Sequence, residues 1–163
     1  SWCLKTISFV FPLNIFTLTF FKAFISFLFY FFVYKISHQF FDQNKSSIVT
    51  SGSIFFVTYF YDFNRDLTHT ILATLMAAIS FYVYMKLIED KSPLNYLLLG
   101  LAFALGILSK YNFALLIFAL VLTSFITSAG RKIIFNVKTL ISLAGFALIT
   151  SPHFIWLYSK NMS

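Results

Sequence analysis

Charge is scarce in this chain. Its 163 residues hold five Asp and Glu and twelve Lys and Arg, 10% of the total, where a soluble domain carries roughly 25%. A globular surface cannot be covered with so few polar groups. A bilayer removes that need, because lipid solvates the outer face of the protein. Cysteine occurs once, at Cys3, which excludes an internal disulfide and any cysteine-built metal cluster. There is no HExxH, no Walker A loop and no GxSxG. The three histidines, His38, His69 and His153, lie far apart. The net charge of +7 is scattered between apolar runs, so no basic face is available for nucleic acid. Internal repeats and low-complexity linkers are also lacking, and no connection is long enough to hold a soluble domain.

Hydrophobic side chains fill the space instead. They make up 60% of the chain, with 24 phenylalanines and a mean hydropathy of +0.86. A membrane-spanning helix needs about 20 mostly apolar residues. Six runs approach that length: 13–34, which contains Lys22; 47–60, short and rich in Ser and Thr; 67–87; 94–108, after a Ser92-Pro93 cap; 113–127; and 139–158. The runs are too long for barrel strands and lack their alternation. The expected fold is all-α: a polytopic transmembrane bundle of about five to six spanning helices. It is expected to form one membrane-embedded domain over residues 1–163. The chain opens at Ser1 without a leader-peptide pattern and is expected to be a fragment of a longer protein.

Alternating spans sort the connections into two groups. Lys35, Lys45, Lys86, Lys91, Arg131, Lys132 and Lys138 fall on one side, and Lys5, Arg65, Lys110 and Lys160 on the other. Loops rich in Lys and Arg stay in the cytoplasm. The first group is therefore assigned inward and the second outward.

The outward side collects the unusual residues. Asp66 and His69 are three apart at the start of the third run and share a helix face. Asp66 is either a helix N-terminal anion, favoured by the macrodipole, or part of an anion and sugar site with Arg65 and His69. Asp62, Asp66 and His69 also make the only metal candidate, and no cofactor is expected. Lys110, followed by Tyr111, lies between two helices with barely any loop. It is either a snorkelling lysine or a phosphate-binding cation. His153 follows Pro152, which is expected to kink or end the last helix. Lys22, inside a span, is a snorkelling or pathway residue.

The segment Tyr96-Leu97-Leu98-Leu99-Gly100-Leu101-Ala102-Phe103-Ala104-Leu105-Gly106-Ile107-Leu108-Ser109-Lys110-Tyr111, with Ser151-Pro152-His153-Phe154-Ile155-Trp156-Leu157 after it, resembles the polyprenyl-phosphate-sugar-dependent glycosyltransferases of the GT-C superfamily. The similar groups are protein O-mannosyltransferase-like, aminoarabinose-transferase-like and Rgt-type enzymes. The resemblance spans about Leu13 to Tyr158. It implies transfer of a sugar from a polyprenyl-phosphate carrier to a lipid, glycan or protein acceptor at the periplasmic or lumenal face. The expected setting is a bacterial inner membrane. The family's catalytic Asp lies in a first outward loop, which would precede Ser1. No catalytic residue is therefore assigned, and the chain is expected to be inactive alone. Arg65, Asp66, His69, Lys110, Tyr111 and His153 are expected to bind substrate. Two other classes stay open: a transporter or channel fragment, suggested by Lys22 and the Ser/Thr-rich run, and a non-catalytic membrane scaffold. Pro12, Pro93 and Pro152 lie at span ends, and polar residues gather at one membrane face. Midplane transporter sites are built differently, around broken helices.

Overall fold

A computed structural model describes residues 15–54 and 69–161 of the chain. Among the described residues all regular structure is helical: α1 (Ile15–Ser37), α2 (Gln43–Ile54), α3 (His69–Glu89), α4 (Pro93–Ser109), a 3₁₀ turn (Tyr111–Phe113), α5 (Ala114–Ile126), α6 (Ser128–Ile134) and α7 (Thr139–Asn161). The chain divides into two compact units, residues 1–78 and 79–163, with the boundary inside α3.

In the first unit, α1 is a 23-residue apolar helix. Its polar side chains are handled locally. Ser26 donates to the Lys22 carbonyl at 2.9 Å. Lys35 lies 5.6 Å from the centre of the Phe31 ring in the last turn, where a cation also suits the helix C-terminus. α2 begins at Gln43, four residues before the apolar run suggests. Asp42 stands before it, and its carbonyl accepts the Ser46 N–H (2.9 Å). The hydroxyls of Ser46, Ser47, Thr50 and Ser53 turn back onto helix carbonyls. Its 12 described residues reach about 18 Å, short of a bilayer core of about 30 Å.

In the second unit, α4 starts as the Ser92-Pro93 pair predicts. Ser92 Oγ accepts the Asn95 N–H, and Pro93 occupies the first turn. Buried Asn95 donates in turn to the Asp90 carbonyl (3.0 Å) and carboxylate (3.1 Å). α4 and α7 run parallel. Lys138, just before α7, donates through Nζ to the Lys91 carbonyl at 2.8 Å, just before α4. Midway, Gly100 packs directly on the backbone of Ser142. At the far ends, Tyr111 meets His153. The connections 86–91 and 131–138 thus share one end of the pair, and Lys110-Tyr111 lies at the other. Parallel packing is what alternation requires of helices separated by one antiparallel span.

Lipid is as apolar as leucine, so membrane helices associate through close packing and hydrogen bonds. Both are present. A cluster of Val83, Tyr84, Leu87, Tyr96, Leu99, Leu120 and Ile133 forms the core of this unit. Tyr84 Oη and Ser124 Oγ share a 2.7 Å hydrogen bond. The Ile133 carbonyl accepts from Tyr96 Oη (3.2 Å) and Thr139 Oγ1 (2.8 Å).

The membrane bundle expected from the apolar runs is the observed architecture, with two differences in detail. Among the described residues three helices, over Phe16–Ser37, Thr70–Glu89 and Thr139–Trp156, are long and apolar enough to cross a membrane, or four if α5 and α6 count as one broken span. The expectation was five to six. α2 is too polar and short among the described residues, and α4, at 17 residues, sits at the lower limit of spanning length. The second difference is Pro152, which neither begins nor ends a helix: α7 continues to Asn161. Proline removes the N–H that would bond the Leu148 carbonyl. Ser151 Oγ donates to that same carbonyl at 3.3 Å, so the lost bond is replaced one residue away.

Candidate functional site

α4 ends because Lys110 turns extended, with φ −156° and ψ 124°. Its N–H still bonds the Gly106 carbonyl (3.0 Å), and its own carbonyl accepts the Phe113 N–H (2.9 Å). The chain therefore reverses within three residues. Gly106 makes the reversal possible, since the Phe113 ring occupies the space a Cβ would need. Lys110 is exposed at the apex.

Tyr111 projects from that apex toward α7. Its Oη lies 2.9 Å from His153 Nε2, and the two rings are 6.4 Å apart. Trp156, one turn on, stacks on the same imidazole with centroids 6.1 Å apart and a 26° interplanar angle. Phe154 meets it edge-on at 6.1 Å. His153 Nδ1 is enclosed and has no hydrogen-bond partner among the described residues. The imidazole is thus held on three sides.

Of the six residues expected to bind substrate, the structure brings Lys110, Tyr111 and His153 to one end of the α4–α7 pair. His69 begins α3. Arg65 and Asp66 lie outside the described residues, as does Asp62 of the metal candidate. Among the described residues no three His, Cys, Asp or Glu side chains gather into a metal-binding group.

Sequence reasoning passed over one feature. A cavity of about 430 Å³ opens between α4, α5, α6 and α7. Its walls are apolar, with Phe103, Ile107, Phe118 and Phe146 among them, and Tyr84, Tyr96 and Ser124 also line it. From Tyr96 to Ile107 it follows α4 for about 16 Å. Its Ile107 and Ala114 end is three or four residues from Lys110 in the chain. The α4 residues that line it, Tyr96, Leu99, Phe103 and Ile107, recur every three or four positions. That spacing marks one helix face and is the signal available in the sequence.

An apolar slot beside a cation and a hydrogen-bonding pair suits a lipid with a polar head, and the comparisons give the class: membrane glycosyltransferases of the GT-C type. The model of the dolichyl-phosphate-mannose-protein mannosyltransferase family matches residues 1–156, and the chain belongs to that family. It is 32% identical over 116 residues to the lipopolysaccharide core galacturonosyltransferase RgtB of Rhizobium johnstonii, covering 71% of this chain and 24% of that protein. It is 30% identical over 97 residues to the lipopolysaccharide core galacturonosyltransferase RgtA of the same organism, covering 60% of this chain and 19% of that protein. The matches thus span about a quarter or less of the length of these curated relatives. No solved structure matches. The chain is an integral membrane protein, and its family implies a lipid-linked sugar donor and an acceptor.

Proposed function

We propose that these helices form the donor-carrier part of a glycosyltransferase that moves a sugar from a polyprenyl phosphate to a lipid, glycan or protein acceptor. The reaction is placed at the outward face of a bacterial inner membrane, which the chain crosses several times. The observation that carries this is the Tyr111–His153 hydrogen bond at the end of the α4–α7 pair where Lys110 is exposed, together with an apolar cavity whose Ile107 and Ala114 end is three or four residues from Lys110 in the chain. The first few isoprene units of the carrier would lie in the cavity, with the phosphate at the Lys110 ammonium.

The chemistry follows from that placement. An acceptor oxygen attacks the anomeric carbon, and the bond from that carbon to the carrier phosphate oxygen breaks. Negative charge grows on the leaving phosphate. A fixed cation stabilises that charge more than it stabilises the bound donor, which is how it speeds the reaction. Lys110 supplies the cation. Tyr111 and His153 hold each other beside it, and the exposed Tyr111 phenol is the member of the pair that meets a phosphate or sugar oxygen. Arg65, Asp66 and His69 are proposed from the sequence alone as further substrate-binding residues. The acceptor proton needs a base, and no residue of this chain is given that part.

The test is transfer in proteoliposomes by a protein that carries these helices together with the outward loop expected to hold the family's base, because this chain alone is expected to be inactive. Polyprenyl-phosphate galacturonate is the first donor to try, since both relatives are galacturonosyltransferases by name. Transfer that is lost in Lys110→Gln and partly kept in Lys110→Arg supports the assignment. Full activity of Lys110→Gln sinks it.

A further inference from the structure

The link between α5 and α7 has a shape and surface that the sugar-transfer reading does not use. Residues 111–126 run as one segment before the chain bends by 113° into α6. Sixteen residues reach about 24 Å, less than the hydrocarbon core. α6 thus turns across the direction of α5 instead of extending it.

The elbow is rigid. Thr127 Oγ1 accepts the Gly130 N–H at 3.2 Å. Gly130 packs on the backbone of Ser124 too closely for any side chain. Ile133 is buried, and its carbonyl is held by Tyr96 and Thr139.

The elbow's outer surface mixes cations with bare hydrocarbon. Arg131 and Lys132 are exposed. Beside them Ile126 is 70% exposed, Phe135 73% and Val137 79%. Such a mixture is characteristic of segments that lie in the headgroup layer, with apolar side chains down and cations among the phosphates. No acidic residue occurs anywhere from 91 to 163. The acids at this end, Glu89 and Asp90, are matched by Lys86 and Lys91 on the neighbouring connection. Arg131, Lys132 and Lys138 are left as uncompensated positive charge. Arg131 spends part of its fork on the α5 terminus, with Nη1 3.2 Å from the Phe125 carbonyl.

We propose that the α5–α6 elbow is a binding surface for anionic phospholipid headgroups, with Lys132 as the principal contact for the headgroup phosphate. It fixes the depth of a span too short to set its own. The inference rests on the membrane-protein reading and is independent of the sugar-transfer chemistry, which lies at the opposite end of the α4–α7 pair.

The experiment titrates the protein in neutral detergent with short-chain phosphatidylglycerol and, separately, with short-chain phosphatidylcholine. Retained lipid is read by native mass spectrometry. Phosphatidylglycerol should be retained in preference. Lys132→Gln should weaken it roughly five-fold and leave phosphatidylcholine unchanged, while Lys132→Arg should bind as before. Arg131 is left intact, because its substitution would also uncap α5. Three results would overturn the proposal. One is equal retention of both lipids. Another is unchanged phosphatidylglycerol binding by Lys132→Gln. The third is a loss caused by Lys110→Gln instead, which would put the phosphate at the other end of the helix pair.

Discussion

Tyr111 and His153 stand 42 residues apart in sequence and meet through a single 2.9 Å hydrogen bond. The bond joins a phenol at the apex of a tight turn to an imidazole already stacked on Trp156. The ring is therefore fixed both from its own helix, by Trp156 and Phe154, and from outside it, by Tyr111. Tyr111→Phe removes the hydrogen bond and keeps the ring. A neutral hydrogen bond contributes about 0.5–1.5 kcal/mol. We predict a loss of roughly two- to ten-fold in kcat/KM for the lipid-linked donor, with protein stability little changed. His153→Ala should lose more, and adding Tyr111→Phe to it should cost almost nothing further. Kinetics of the two single variants and the double variant in proteoliposomes measure this. Losses that simply add would show that the pair does not act as a unit.

Lys110 should behave differently from that pair. A cation that meets charge only as the phosphate leaves affects kcat more than donor binding. Removing one preorganised stabilising group costs on the order of 10²–10³ in kcat. Lys110→Gln is predicted to lose activity on that scale, with a smaller change in donor KM. A rise in KM with kcat unchanged would assign Lys110 to ground-state binding alone.

Much of this arrangement is visible in the sequence, and the rest is hidden for identifiable reasons. The start of α4 is legible because Ser92 and Pro93 are local signals, and a cap needs only its own turn. Lys110, Tyr111 and His153 stand out one at a time, as polar residues at the ends of apolar runs. Their meeting is not legible, because it depends on α4 and α7 packing in parallel, which no spacing encodes. The bend into α6 is also hidden. A seven-residue helix has too few turns to show a period, and Arg131 and Lys132 make the segment look like a basic loop. Pro152 misleads for the opposite reason. Its local signal is strong, but the helix does not end there, and the Ser151 hydroxyl bonds the carbonyl that proline leaves without its N–H.

Gly100 should tolerate no side chain. A Cβ there would run into the Ser142 carbonyl, which is backbone and cannot swing aside. The α4–α7 contact depends on that close approach, as small-residue contacts between membrane helices do. Overpacking a tight site typically costs 1–3 kcal/mol, occasionally more. Gly100→Ala is predicted to fall in that range and Gly100→Leu beyond it. Thermal unfolding in detergent gives the comparison. A wild-type midpoint for Gly100→Ala would mean that the helices separate at no cost.

The Tyr84–Ser124 hydrogen bond links α3 to α5 across the core. Hydrogen bonds between membrane helices average about 0.6 kcal/mol in double-mutant cycles and reach about 1.7. This one is short and buried, so its coupling energy should lie in the upper half of that span. A cycle of Tyr84→Phe and Ser124→Ala, followed by unfolding in detergent, measures it. Ser124 Oγ also lies 2.7 Å from the Leu120 carbonyl, to which it donates. Tyr84 is therefore the donor across the core, and Tyr84→Phe removes that donor while leaving Ser124 bonded to its own helix. A coupling near zero would show that the phenol finds an equal partner once Ser124 is gone.

Ser151 and Pro152 form a compensating pair, which a second cycle can expose. Pro152 leaves the Leu148 carbonyl without its helix N–H, and Ser151 Oγ donates to it. Ser151→Ala alone should then be destabilising by about 0.5–1.5 kcal/mol, the value of one hydrogen bond. Pro152→Ala alone restores the N–H and should be neutral or stabilising. In a Pro152→Ala background the carbonyl has its regular donor, so Ser151→Ala should lose most of its effect. The cycle therefore predicts a clear departure from additivity between adjacent residues. Additive effects would show that the Ser151 hydroxyl bonds the carbonyl without replacing what proline removes, and α7 would then owe its continuity past Pro152 to packing against α4.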